Sequence, residues 1–379
     1  MKKLVYTFIF SVLFSSFVWG QNVLKLTDSN TLETTDFVEV KTFEDGRPMT
    51  DNLCDGVIYI KNQGKYYKRV IQGPINIKWF GAKGDGNAND VGTDDTRSIV
   101  KALTTLENIY KAHRLTGGHY FGGFTLYFPK GIYIVSETFK LPHGITILGA
   151  SRSETMIHMK SQKNIFTNVR GMLNKTDVDM STNINIKHLT LKQGGLELQN
   201  SINSKIEDIS IFNAGSSAMH IRIPVNLIVK NVLIVNADTG IKYEDNMGSG
   251  PSTTTTFENI WIQSCNKGIV MDGNTGDSHK ILTTRILNSI IEYNNIGIEL
   301  KGNIENLVVR DIHFEQNKTA SMMVNDNVSF TLEDAWTDKG DIILKNNPKI
   351  DQSKVKIYFK NNNIPVNVDK NFKGKIVNL

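Results

Sequence analysis

Phe257-Glu258-Asn259-Ile260-Trp261-Ile262, Ile286-Leu287-Asn288-Ser289-Ile290-Ile291 and Val309-Arg310-Asp311-Ile312-His313-Phe314 are one six-residue phrase written three times. Each opens on an apolar residue, puts a small polar residue at its third position, and returns to an apolar residue at the sixth, with Ile260, Ser289 and Ile312 at the fourth. The same phrase recurs at Ile186 to Leu191, Ile206 to Ile211, Val229 to Ile234 and Leu332 to Thr337, with first residues 20 to 29 apart. That interval suits one coil of a solenoid and is too short for a βαβ unit with its helix. The third position reads His188, Asp208, Asn231, Asn259, Asn288, Asp311 and Asp334, mostly types that tolerate a left-handed backbone and bond their own turn.

A second short strand follows a glycine in three of these coils, as Gly240-Ile241-Lys242-Tyr243, Gly268-Ile269-Val270-Met271 and Gly297-Ile298-Glu299-Leu300. Stacked coils of this kind bury a continuous core and leave parallel ladders of outward side chains. The expected fold is all-β, a single-stranded right-handed parallel β-helix over residues 74–345, closed by residues 346–379 as a C-terminal cap. The tail alternates at Val355-Lys356-Ile357-Tyr358-Phe359-Lys360 and carries lysine and Pro365, which blunt a free strand edge.

Toward the N-terminus the pattern changes. Met1 to Gly20 has Lys2 and Lys3, an apolar run from Leu4 to Trp19, and Val18 and Gly20 before Gln21, the three regions of a signal peptide. Its removal implies a secreted or periplasmic protein with no membrane span. The formal net charge is +5, falling to about +3 without the leader, too small and dispersed for nucleic acid as a partner. Cys54 and Cys265 are the only cysteines, so neither a disulfide framework nor a metal-ligand spacing is present. Residues 21–73 read as a small β-rich leader with turns at Asp45-Gly46 and Asp55-Gly56.

After Pro74 come a strand, a glycine-rich turn, and Thr93-Asp94-Asp95-Thr96, followed by apolar residues at Ile99, Leu103, Leu106 and Tyr110. Their spacing predicts an amphipathic α-helix capping the first coil, with Thr93 or Asp94 at its N-cap. Asp85, Asp94 and Asp95 are read as turn and cap residues.

Phe80-Gly81-Ala82-Lys83-Gly84-Asp85-Gly86, Thr93-Asp94-Asp95-Thr96, Leu126-Tyr127-Phe128-Pro129-Lys130-Gly131-Ile132-Tyr133 and Ile147-Leu148-Gly149-Ala150, in this order, resemble the opening of the pectate lyase 3 or rhamnogalacturonase-like group of pectin-lyase-fold proteins. That group includes glycoside hydrolase 28-related proteins and tailspike depolymerases. The resemblance implies the β-helix, whereas members of the group hydrolyse, eliminate or merely bind; the leading expectation is a protein that acts on an extracellular, acidic polysaccharide by hydrolysis or β-elimination. The paired-aspartate, Gly-His-Gly and Arg-x-Lys pattern of true polygalacturonases is absent.

Strand alternation places Ser210, Leu233, Trp261, Ile290, His313 and Trp336 in one outward column, and Phe212, Val235, Gln263, Glu292 and Glu315 in the column beside the phrase's end. Adjacent coils lie about 4.8 Å apart, so Glu292 and Glu315 should be vertical neighbours near the about 5–5.5 Å separation of retaining glycosidases. Glu292, Glu315 and His313 are therefore the catalytic candidates, and Trp261, Trp336, Gln263, Arg310 and Lys280 the substrate-binding ones. The insertions Asn246 to Thr256 and Gly273 to Thr284 are candidate groove walls. Elimination would instead draw base and clamp from Lys280, Arg285, Arg310 and His313, with calcium held by Glu244, Asp272 and Asp277. No metal site is read for the hydrolytic case, and the oligomeric state is left open. The competing reading is a non-catalytic glycan-binding or structural β-helix in which the tryptophans pack and the glutamates bond turn amides.

Overall fold

The computed structural model describes residues 22–87, 89–112, 123–169, 181–245, 252–273, 280–346 and 352–379; the signal segment Met1 to Gly20 lies outside them. One compact unit contains the N-terminal residues through Gly73, and a second takes in Pro74–Tyr110 and Phe121–Leu379. In the first, strands Val23–Thr27, Thr34–Glu39, Lys65–Arg69 and Tyr59–Asn62 pair in that order as an antiparallel sheet.

The second unit is the parallel β-helix that the phrase predicts. Ile186, Ile206, Val229, Phe257, Ile286, Val309 and Leu332 pair rung by rung with no slip. All seven are fully buried, as are Ile211, Ile234, Ile262, Ile291 and Phe314 at the other end of the phrase, each contributing roughly 1.5–3 kcal/mol of burial. A one-residue slip would turn this set outward, so the pattern itself dictates register.

Two ladders organise each coil. Sheet I contains Leu196–Gln199, Ser217–Arg222, Thr239–Asp245, Lys267–Gly273, the start of Ile296–Glu315, and Ala320–Val324. Sheet II contains Asn185–Lys192, Ser201–Phe212, Val225–Val235, Ser252–Gln263, Ile281–Glu292, the end of Ile296–Glu315, and Asn327–Thr337. The tail adds Lys356–Lys360 and Lys375–Asn378 to sheet II, with Phe359 on Leu332 and Asn361 in a left-handed conformation two residues later. That is an eighth occurrence of the phrase, hidden in sequence because Asn362 and Asn363 follow the corner before the apolar Ile364.

The seven polar corners all have φ between +49° and +57°. Two further left-handed columns escaped the sequence reading: Asn183, Asn203, Asn226, Thr254, Thr283 and Asn306 before the phrase, and Gln193, Asn213, Asn236, Ser264, Tyr293 and Gln316 after it. Six of the twelve are Asn, but Thr, Tyr and Gln are poor left-handed residues, so the corners at Thr254, Thr283, Tyr293, Gln193 and Gln316 carry no compositional signal. Side-chain ladders hold several of them, as where Asn226 Nδ2 donates to Asn203 Oδ1 at 2.8 Å and Asn306 Nδ2 to Thr283 Oγ1 at 3.2 Å.

Inside the turn, fully buried Asn294 accepts from the Cys265 amide at 2.9 Å and donates to Asn317 Oδ1 at 3.2 Å. Asn294→Ala strands that amide in the core, so chemical denaturation should report a loss of about 1–3 kcal/mol. A value near zero would mean that the turn amides find other partners.

The capping helix α1 (Thr96–Ala112) buries Ile99, Leu103, Leu106 and Tyr110 as its spacing predicts. Its N-cap, however, is Asp95 and not Thr93 or Asp94: the Asp95 carbonyl accepts from Ile99 N at 3.1 Å. The Asp95 carboxylate takes the amides of Lys83 and Gly84 at 2.7 and 3.0 Å, tying the glycine-rich turn to the helix. Asp85 accepts from Thr93 and Asp94 pairs with Lys160, so all three carboxylates serve loop geometry.

Candidate functional site

Parallel register makes each outward column a fixed row of neighbours. Leu233, Trp261, Ile290, His313 and Trp336 stand on successive rungs of sheet II, and Val235, Gln263, Glu292 and Glu315 on the row two positions further along. The glutamate pair expected from coil length therefore exists as direct rung partners. Trp261 Nε1 donates to Glu292 Oε1 at 2.8 Å, a diagonal contact that joins the two rows. Glu292 is 8% exposed; Glu315 is more open, accepting from Tyr293 OH at 3.4 Å with His313 Nε2 3.7 Å from its other oxygen. His313 stands edge-on to Trp336, ring centroids 4.4 Å apart. Trp261 and Trp336 are each 44% exposed, so at these rungs the face is open to solvent and the indoles are not packing residues of a covered sheet.

Arg310 and Lys280 are not part of this group. Arg310 precedes the left-handed corner at Asp311, pairs with that carboxylate at 3.3 Å, and occupies a row reading Lys187, Glu207, Lys230, Glu258, Leu287, Arg310, Glu333 and Lys360. Ion pairs Lys187–Glu207, Lys230–Glu258 and Lys360–Glu333 run along it, making a solvated ladder of alternating charge. Lys280 pairs with Glu305 at 2.7 Å. Most of the two insertions expected to wall a groove, residues 246–251 and 274–279, lies outside the described residues; their C-terminal ends, Ser252–Thr256 and Ile281–Thr284, are already strand.

Sequence reasoning missed a second constellation, on the outward face of sheet I. Glu197, His220 and Lys242 share one row; Gln199, Arg222, Glu244, Asp272 and Lys301 share the next. His220 Nε2 hydrogen-bonds Glu244 Oε1. A carboxylate only accepts, so this nitrogen carries the hydrogen, and the Arg222 Nε–H is left to Glu244 at 3.4 Å while Nη2 reaches Glu197 at 3.1 Å. Lys242 closes on the other Glu244 oxygen at 3.0 Å. Two-residue spacing of charge in His220-Ile221-Arg222 and Lys242-Tyr243-Glu244 was the available signal; only the register of separate coils assembles it.

These partners also decide the calcium question. Glu244 is enclosed by His220, Arg222 and Lys242, and Asp272 by Lys301 at 2.9 Å, so they do not fit a cation; Asp277 lies outside the described residues. Burial pushes the Glu244 carboxyl up, but hydrogen bonds from His220 and Lys242 outweigh it and hold it down at about 2. A depressed carboxyl stabilises the fold fully above its unfolded value of 4.5 and loses that contribution as pH falls toward 2. Acid titration of unfolding should show a slope worth on the order of 3 kcal/mol across this window. Glu244→Gln should flatten it; an unchanged slope would place the acid sensitivity elsewhere.

The model of the family described as rhamnogalacturonase A/epimerase, pectate lyase-like matches residues 74–276, more than half of the chain. The pre-neck appendage protein of Bacillus phage phi29 is 26% identical over 218 residues, which is 54% of this chain but 22% of the phage protein. The chain thus spans about a fifth of the length of that relative. Among solved structures, the enzymatically active domain of tailspike protein 2 from bacteriophage CBA120 superposes with a TM-score of 0.53 at 14% identity, covering 94% of this chain and 50% of that one. The A-module of the Azotobacter vinelandii mannuronan C-5 epimerase AlgE6 gives 0.52 at 15% identity, covering 80% and 97%. At such identities these structures establish the fold.

Proposed function

The chain belongs to the rhamnogalacturonase A/epimerase, pectate lyase-like family, and on that footing we propose that it is a secreted carbohydrate-active protein that seats an acidic polysaccharide along the outward face of sheet II and hydrolyses it. The observation that carries this reading is the placement of the Glu292 and Glu315 rung pair between two half-open indoles, one of which holds a carboxylate directly. Trp261 and Trp336 offer flat apolar faces to sugar rings, and the closely set carboxylates offer the acid and nucleophile of a retaining mechanism. Elimination is less well supported at this face. Of the residues that could serve as its base and clamp, Arg310 and Lys280 stand elsewhere and are paired with Asp311 and Glu305, Arg285 is rung partner to Thr256 and Val308, away from the glutamate row, and His313 alone stands in the row beside the glutamate pair.

A second reading, glycan binding without cleavage, is favoured by one observation: Glu292 is nearly buried and held by an indole N–H, a suitable arrangement for fixing a binding platform. Incubation of the protein with a panel of uronate-containing glycans, with and without calcium, separates the cases. New reducing ends without ultraviolet absorbance support hydrolysis. Absorbance from an unsaturated product overturns it in favour of elimination, and retention of glycan without any product leaves the binding reading standing.

A further inference from the structure

Tyr293 is the largest residue in the left-handed column that follows the phrase, with φ at +53°. In the same column Asn213 donates its amide to the Val235 carbonyl of the next coil at 3.0 Å, and Asn236 to Gln263 at 3.2 Å. Tyr293 makes the same bond, to the Glu315 carbonyl at 2.8 Å. The backbone bond is thus indifferent to the side chain, and asparagine forms this corner without the crowding that a large residue brings to a left-handed backbone. Packing does not compensate, because Tyr293 is 51% exposed. Strain of this kind persists only where the surroundings hold it, and it clusters at functional sites.

What the phenol reaches is the more open member of the glutamate pair. Tyr293 OH donates to Glu315 Oε1 at 3.4 Å, while His313 Nε2 lies 3.7 Å from Oε2, so each carboxylate oxygen has one group beside it. A contact of 3.4 Å is loose for a hydroxyl, of the kind that tightens as charge develops in a reaction. The backbone that carries Glu315 is fastened from its other side: the Gln316 amide donates to Asp338 Oδ1 at 2.8 Å, and the Gln316 side chain to Asp338 Oδ2. We propose that Tyr293 is a positioning residue of the sheet II site, whose phenol holds the Glu315 carboxylate in its reactive orientation and whose left-handed backbone aims the phenol there. This deepens the hydrolytic reading and rests on it. The phenol is raised above its ordinary value, first by the negative charge of Glu315, then by burial, Glu292, the hydrogen bond to Glu315, and Asp338.

Three measurements on the purified protein test it. Tyr293→Asn should raise Tm by about 1–4 °C, because asparagine takes the left-handed corner with less strain; a phenol that merely held the turn would make Tm fall. Tyr293→Phe keeps the ring and the corner. It should lower kcat on a cleaved glycan by about 10- to 100-fold, as expected for losing one hydrogen bond to a charged group, and leave KM and Tm unchanged. The phenol titration, read by ultraviolet absorbance as the difference from the matching Tyr293→Phe protein, should move to lower pH in Glu315→Gln, where the charge that disfavours the phenolate is gone. Unchanged kcat in Tyr293→Phe, a phenol titration that does not respond to Glu315→Gln, or a lower Tm in Tyr293→Asn each overturns the proposal. A wild type that releases no reducing ends defeats hydrolysis instead, and the titration and Tm then still decide whether Tyr293 holds Glu315.

Discussion

Gly302→Ala is expected to destabilise the solenoid by at least about 4 kcal/mol, in the range reserved for a few severe mechanisms. Gly302 sits where the chain passes from sheet I to sheet II, with φ at +74° and Gly273 as its rung partner. A Cβ built there falls 1.1 Å from the Gly273 carbonyl oxygen and 2.2 Å from its carbon. Both obstacles are backbone, so relief means parting two stacked coils. Gly273 is equally constrained, its own Cβ lying 2.0 Å from the Asn303 oxygen. Two glycines in contact thus let adjacent coils approach at the turn where the Gly302 amide donates to Asp326 at 2.9 Å. Denaturant unfolding followed by far-ultraviolet circular dichroism measures the loss. Gly46, with φ at +83° but open space around its Cβ position, is the control, and Gly46→Ala should cost only about 1–2 kcal/mol. Equal costs at the two sites would mean that backbone handedness, and not the clash between coils, accounts for the effect.

Glu315→Gln and Glu292→Gln should each lower kcat on a cleaved glycan by about 10²–10⁴-fold, the usual contribution of a positioned acid or base. Both substitutions keep shape, and the side-chain amide introduced by Glu292→Gln retains an oxygen to accept the Trp261 indole N–H, so stability should hardly change. Trp261→Ala and Trp336→Ala should act differently, raising KM through lost stacking surface. Trp261→Ala also removes the donor from a carboxylate that is 8% exposed, so it alone among the tryptophans should lower kcat as well. Equal kcat in wild type and both glutamine variants would remove the glutamate pair from the chemistry while leaving the stacking face intact.

The two expectations draw on different levels of structure, and so did the legibility of the protein. The register of sheet II was readable from the phrase alone because coil-length spacing and an inward apolar pair repeat together, so Glu292 and Glu315 could be placed side by side before any coordinate was known. The corners at Thr254, Thr283 and Tyr293 were not readable, since such residues take a left-handed backbone only when neighbouring coils hold them there. The N-cap fell on Asp95 because its carboxylate is claimed by the Lys83 and Gly84 amides, a tertiary bond with no trace in local spacing. Arg310 stands apart from the glutamate pair for a similar reason: it is only five residues from Glu315, yet the bend at Asp311 separates them.

Sequence by itself determined the solenoid, its register and the row that brings carboxylates and indoles together, because in a parallel coil one-dimensional spacing becomes vertical neighbourhood. Tertiary structure alone decided which faces are open, which charges are already paired, and that His220, Arg222, Glu197 and Glu244 converge on sheet I. Those outcomes depend on contacts between side chains from separate coils and on access to solvent, and neither quantity is carried by the order of residues along one strand.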